Sequence, residues 1–183
     1  MDPAPLYASK YCEENVWHLC RHPALSTMER AAVFVSNARK ACPLWMQRAS
    51  PDVAEPVLWD YHVVLLAQDG GRWRVYDLDS RLPFPCRAAA WLDGTFPFLE
   101  RVERPFQPRF RVVDAAVFLD TFASDRSHMR MPGGGWQAPP PPWPAIQPAR
   151  GTNLIDFVDM DARFVGEVME LPRLRERVRD RCI

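Results

Sequence analysis

Alternation of apolar and polar positions is clearest in the middle of the chain. Val57-Leu58-Trp59-Asp60-Tyr61-His62-Val63-Val64-Leu65-Leu66 reads as a strand, Gln68-Asp69-Gly70-Gly71 as a turn, and Trp73-Arg74-Val75-Tyr76-Asp77-Leu78-Asp79 as a second strand. Side chains alternate along a strand, so Leu58, Asp60, His62, Val64 and Leu66 share one face, and Trp59 and Tyr61 belong to the other, as core. Asp69-Gly70 is the better two-residue type I′ turn. That turn pairs Gln68 with Gly71, Leu66 with Trp73, Val64 with Val75 and His62 with Asp77. A turn at Gly70-Gly71 places Asp79 opposite His62 instead. In either register a carboxylate stands beside the imidazole, because directly opposite Cβ atoms lie about 5 Å apart.

Helical spacing appears from Cys12. Val16, Leu19 and Cys20 form a stripe with Trp17 beside it, Glu13 and Glu14 occupy the first turn, and Pro23 ends the segment. Thr27 is a candidate cap for a short second helix, with Arg30 where a capping box carries Glu. Ala32–Ser36 is a short strand ended by Asn37, and Leu44–Gln47 is its candidate partner across the polar Asn37–Lys40 turn. Further on, Ala88–Leu92 suggests a helical turn, Arg109–Val113 a strand and Asp114–Phe122 a helix. Residues 154–160 and Leu171–Arg181 read as helical.

Residues 1–10 read as a loose arm. Ser124–Trp143 lacks regular periodicity and contains Gly133-Gly134-Gly135 and Pro139-Pro140-Pro141-Pro142. The span 130–150 is expected to be a strap across the body, anchored by Trp136 and Trp143; a polyproline ligand for a partner domain is the other reading. No repeat is visible and nothing divides the chain into two cores, so its 183 residues fit one domain.

Composition narrows the function classes. The 23 Lys+Arg balance 23 Asp+Glu, which argues against nucleic acid as a partner. Only Lys10 and Lys40 are lysines. No apolar run reaches the length of a membrane span. Met1-Asp2-Pro3-Ala4-Pro5 lacks the charged and apolar regions of a secretory signal. Five cysteines, Cys12, Cys20, Cys42, Cys86 and Cys182, at scattered spacing fit reduced thiols in the cytoplasm or nucleus.

A histidine held by a carboxylate can be purely structural. Cys12 gives the pair a chemical reading. It opens a helix, where the dipole favours thiolate. A thiolate, a histidine to trade protons and a carboxylate to fix its tautomer make a nucleophilic triad. Spacing alone does not bring Cys12 to His62. Cys20 belongs to the apolar stripe, Cys42 and Cys86 adjoin prolines, and Cys182 is terminal. Cys12, His18, Cys20 and His22 allow a zinc reading, weakened because Cys20 lies off the His18/His22 face and no CxxC pair exists. No metal is expected.

Read together, Tyr11-Cys12-Glu13-Glu14-Asn15, Trp59-Asp60-Tyr61-His62-Val63 and Tyr76-Asp77-Leu78-Asp79 resemble the WDYHV-motif family of protein N-terminal glutamine amidohydrolases. Leu82-Pro83-Phe84-Pro85-Cys86, Phe110-Arg111-Val112, Ala123-Ser124-Asp125-Arg126-Ser127-His128-Met129 and the proline run extend the likeness over about residues 11 to 170. The resemblance implies an α/β (α+β) single domain, with a papain-like or transglutaminase-like core of antiparallel sheet flanked by helices. It implies deamidation of an N-terminal glutamine to glutamate, with ammonia released, in the N-degron pathway. The family's catalytic residues fall on Cys12, His62 and Asp77. The scheme requires no cofactor, and a monomer acting on Gln-initiated proteins or peptides is expected.

The substrate's free α-ammonium needs a carboxylate. Asp125, Glu14 and Asp60 are the candidates, with Glu13 beside them, and His128 is expected to brace its loop by a hydrogen bond. The competing readings are a non-catalytic N-terminus-binding module and a related cysteine protease or transglutaminase.

Overall fold

The computed structural model describes residues 6–179. Cys182, the first five residues of the expected arm and the end of the expected C-terminal helix (180–181) lie outside the described residues.

The first helix, α1 (Cys12–Cys20), buries Cys12, Val16, Leu19 and Cys20 as its stripe predicts. Its N-terminus has no side-chain cap. Instead the Asn15 amide clamps the incoming chain, accepting from the Ala8 N–H and donating to the Ala8 carbonyl, both at 2.9 Å. Pro23 holds His22 extended and stops the helix. No helix follows at Thr27: residues 26–28 are turn, and the strand begins at Glu29.

Six antiparallel strands form the main sheet. They are β1 (Glu29–Ser36), β4 (His62–Asp69), β5 (Arg72–Tyr76), β6 (Cys86–Arg87), β7 (Arg109–Asp114) and β8 (Glu167–Glu170), in the order β6-β5-β4-β1-β7-β8. A separate two-stranded ribbon pairs β2 (Cys42–Leu44) with β3 (Val57–Trp59). The expected pairing of Leu44–Gln47 with the first strand is therefore wrong; Gln47 makes only an isolated bridge to Ser80.

Both faces of the main sheet are covered, which is why β1 and β4 read as nearly unbroken apolar runs rather than strict alternation. Phe34, Val63 and Leu65 face α1, α3 (Ala115–Thr121) and α4 (Leu154–Val158). Val33, Val64, Leu66 and Val75 face α2 (Ala88–Thr95) and α5 (Leu171–Arg177). Asp114 switches β7 to α3 by accepting from the N–H groups of Ala116 and Val117 at 2.8 and 3.3 Å. Arg111 is buried on β7 and donates to the carbonyls of Phe157, Asp159, Ala162 and Val165, tying down the stretch that leads into β8.

Two corrections concern the central hairpin. The continuous strand expected over residues 57–66 is broken. Ser36 Oγ donates to the Asp60 carbonyl at 2.6 Å, the Asp60 carboxylate accepts the Tyr61 N–H, and the chain kinks between β3 and β4. The turn is the other one: Asp69 pairs with Arg72, Leu66 with Val75 and Leu65 with Tyr76. Gly70 and Gly71 both take positive φ, 54° and 78°, which two glycines adopt without the cost of a Cβ. Continued straight, this register would oppose Asp79 to His62. But β5 ends at Tyr76, and Asp77 turns out of the ladder, its carboxylate accepting the Asp79 N–H at 3.1 Å.

Candidate active site

His62 opens β4 and is fully buried. Its Nε2 lies 2.9 Å from Asp77 Oδ1. Asp77 also accepts from Trp91 Nε1 at 3.0 Å and Gln47 Nε2 at 3.5 Å. Burial opposes charge on both partners, but each favours the other's ionised form. The His62 pKa is consequently raised and that of Asp77 lowered. The indole of Trp59 stacks on the imidazole at 4.9 Å, a contact made possible by the kink between β3 and β4. Trp59 and Tyr61 are thus part of the site rather than plain core. The other ring nitrogen, His62 Nδ1, is buried without a hydrogen-bond partner.

Cys12 stands at the first position of α1 and packs against Val63, the neighbour of His62. Its sulfur receives the Val63 N–H, and its thiol donates to Glu13 Oε2 at 3.6 Å. Burial pushes the thiol pKa well up, and the Glu13 and Asp79 carboxylates add to it; the Val63 N–H only partly opposes them. Desolvation and two nearby carboxylates thus work against the thiolate that the helix terminus favours.

A cavity of about 410 Å³ opens onto Cys12 and is lined by Trp59, Asp60, Tyr61, His128 and Ile155, among others. Both lysines of the chain, Lys10 and Lys40, also line it, each at a positive-φ position. The acidic candidates separate on this geometry. Asp60 is exposed and lines the cavity. Glu14 does not: it is buried, with Arg126 donating from Nε and Nη2, each at 2.8 Å, and Trp143 Nε1 donating at 2.8 Å. Asp125 is exposed, is absent from the cavity wall and accepts the Ser127 N–H at 2.9 Å, a local turn role. Glu13 is fully buried next to the cysteine. His128 does not brace its loop through the ring; both ring nitrogens lack hydrogen-bond partners.

The strap is tied to the body near these residues. Tyr11 Oη donates to the Ala138 carbonyl at 3.2 Å, and Arg126 Nη2 donates to the Trp143 carbonyl at 2.9 Å. Trp136 lies under the Arg130 guanidinium, 3.6 Å from its ring centre. The four residues of the zinc reading do not converge: Cys20 is core, and His18 packs edge-on against Trp143 at 4.8 Å. Among the described residues, His62, Asp77 and Asp79 are the group with metal-ligand spacing, within 4.8 Å of one another. His62 Nε2 and Asp77 already engage each other, and Asp79 Oδ1 accepts the Tyr7 hydroxyl at 2.6 Å.

The family model of N-terminal glutamine amidase matches residues 7–178. The chain belongs to this family. It is 45% identical over 166 residues to a protein N-terminal glutamine amidohydrolase of Homo sapiens, covering 87% of this chain and 80% of that protein. It is 44% identical over 181 residues to the protein of that name from Bos taurus, covering 95% and 87%. The Danio rerio relative is 44% identical over 175 residues, covering 91% and 85%.

Several contributors to the site escape a reading by residue type. Trp91 lies in an Ala-rich helix, where a buried indole N–H still needs an acceptor; that need was the available signal. The Gln47 amide and the Val63 N–H have no signal in sequence, because only the fold brings them to Asp77 and Cys12.

Proposed function

We propose that this chain deamidates the N-terminal glutamine of proteins or peptides to glutamate, using Cys12, His62 and Asp77. The observation that carries the reading is the orphaned His62 Nδ1, with Nε2 already held by Asp77, one residue before the Val63 that meets Cys12. A buried nitrogen without a partner is costly unless a proton donor visits it.

The Cys12 thiol passes its proton to His62 Nδ1, and the thiolate attacks the carboxamide carbon of the substrate side chain. The Cys12 backbone N–H, at the start of α1 without an intrahelical acceptor, is placed to stabilise the oxyanion. As the tetrahedral intermediate collapses, the C–N bond breaks. His62 returns its proton to the departing nitrogen, leaving ammonia and a thioester. Water then adds to the thioester, giving a proton to His62. The C–S bond breaks, glutamate is released, and the thiol is restored. Asp77 holds the imidazolium throughout.

The product, a chain beginning with glutamate, suits the N-degron pathway. A cytoplasmic or nuclear monomer is the form proposed to act there. A non-catalytic binding module would have no use for a buried imidazole held at one nitrogen by a carboxylate and left free at the other.

The test incubates Gln-initiated, Asn-initiated and internal-Gln peptides with reduced protein and follows ammonia and mass. Conversion of the Gln-initiated peptide alone, lost in Cys12→Ser, is expected. Peptide cleavage would favour the protease, and no turnover the binding module.

A further inference from the structure

Glu13 has a carboxylate oxygen that receives no hydrogen bond, only the approach of a His128 ring nitrogen at 3.4 Å. The residue is fully buried and directly follows the cysteine. Its Oε2 accepts from Tyr61 Oη at 3.0 Å and from the Cys12 thiol at 3.6 Å. Its Oε1 has no hydrogen-bond partner and lies 3.4 Å from His128 Nε2. Such an atom is expensive to bury unless a cation or donor completes it. Cys12, Tyr61 and His128, the side chains that surround it, all line the cavity.

An enzyme restricted to the first residue of a chain must sense a free α-ammonium. A buried ammonium needs an anion. Glu14 is already occupied by Arg126 and Trp143, Asp125 is exposed and bonded within its own turn, and Asp60 is exposed, where solvent screens it. Glu13 is itself off the cavity wall but lies directly behind Cys12, Tyr61 and His128, which form it. Glu13 is also at the right range. In glutamine about 5 Å at full extension separates the α-nitrogen from the carboxamide carbon. With that carbon about 3.5 Å from the sulfur for attack, a carboxylate 3.6 Å from the same sulfur is within reach of the ammonium.

We propose that Glu13 receives the α-ammonium of the substrate's first residue and thereby frees the Cys12 thiol to give its proton to His62 Nδ1. This rests on the deamidase reading above. In the free enzyme the thiol is turned to Glu13, and the Glu13 carboxylate opposes thiolate formation. The incoming ammonium forms an ion pair with that carboxylate. The S–H···O contact is given up, and the proton moves from Sγ to Nδ1. A free N-terminus is then both the binding handle and the trigger. Tyr61 and His128 face Glu13 directly; His62 interacts with it at longer range, and Asp79 acts on the same thiol.

The test compares kcat/KM for a Gln-initiated peptide and its Nα-acetylated form in wild type and Glu13→Gln. Wild type should favour the free amine, and the variant should lose that preference by about tenfold to a hundredfold, the range for one charge-assisted hydrogen bond. A merely structural role would lower both rates together and leave the ratio unchanged.

A second measurement uses wild type alone, so it stands if the variant does not fold. Cys12 alkylation by iodoacetamide is followed by mass against pH, with a glycine-initiated peptide or its acetylated form present. The free-amine peptide should move the midpoint to lower pH, and the acetylated one should not. If wild type turns over the Gln-initiated peptide but shows no preference for the free amine, or if ratio and midpoint stay unmoved, the role of Glu13 is overturned. If wild type turns over no Gln-initiated peptide, the deamidase reading itself fails.

Discussion

His62 and Asp77 are not cross-strand partners, yet Nε2 and Oδ1 meet at 2.9 Å. The ladder between β4 and β5 stops at Leu65–Tyr76, and the carboxylate reaches the ring from a turn. A residue outside a ladder needs other bonds to hold it. Asp77 finds them in Trp91, the Asp79 N–H and Gln47.

Asp77→Asn keeps the shape and removes the charge. Activity is expected to fall by about 10²–10⁴-fold, the usual weight of a positioned acid–base group. The pair also links stability to pH. Asp77 has a lowered folded pKa, so its contribution is present above its ordinary 3.8 and lost as pH falls through the folded value. His62 has a raised folded pKa, so its contribution is full below its ordinary 6.5 and lost as pH rises through the folded value. Denaturant unfolding of wild type minus variant should therefore differ most between those two ordinary values. A difference that does not vary with pH would contradict the linkage.

Trp91→Phe keeps the ring and deletes one donor to Asp77. The Asp77 pKa should rise toward its ordinary value, because the indole N–H favours the carboxylate. The acid limb of the kcat/KM profile should move to higher pH. An unmoved limb would mean that another group governs it.

Arg126→Ala leaves Glu14 buried without its guanidinium. A cost of about 3–5 kcal/mol is expected for stranding one member of a buried ion pair. Chemical denaturation measures it, and limited proteolysis should show earlier cutting between 130 and 150. Asp125→Ala, next in sequence and exposed, should cost far less.

Two glycines with positive φ should respond differently to alanine. At Gly70 a Cβ meets nothing within 4 Å, so the cost is the strain of the left-handed backbone, about 1 kcal/mol. At Gly166 the Cβ would come 2.6 Å from the Val112 carbonyl oxygen, forcing β7 and the approach to β8 apart. Gly166→Ala should therefore lower the melting temperature more than Gly70→Ala.

The parts legible in sequence are those decided by local pattern. The stripe of α1, the strand at Arg109–Val113 and the helix after Asp114 follow from periodicity and one capping carboxylate. Asp77 emerges as the partner of His62 by a register that the molecule does not use; the turn Gly70-Gly71 was the alternative, and a bend after Tyr76 brought the same side chain back. Other features depend on long-range contacts. The split between β3 and β4 hangs on Ser36 reaching the Asp60 carbonyl, and β8 exists because β7 offers it an edge. The acidic candidates could not be ranked by residue type, since Glu13 and Glu14 differ only in which neighbours they meet.

Those two glutamates and the cysteine before them occupy consecutive positions, about 100° apart around the helix axis. Each therefore looks toward a different layer: the sulfur toward Val63, Glu13 toward Tyr61, and Glu14 toward Arg126 and Trp143. The Glu14 clamp acts as a rotational stop for the whole turn. Loosening it would let α1 roll, and a roll of a few degrees displaces the sulfur sideways relative to the imidazole. The aim of the Cys12 sulfur is thus set partly by a segment of irregular chain more than 110 positions away in sequence.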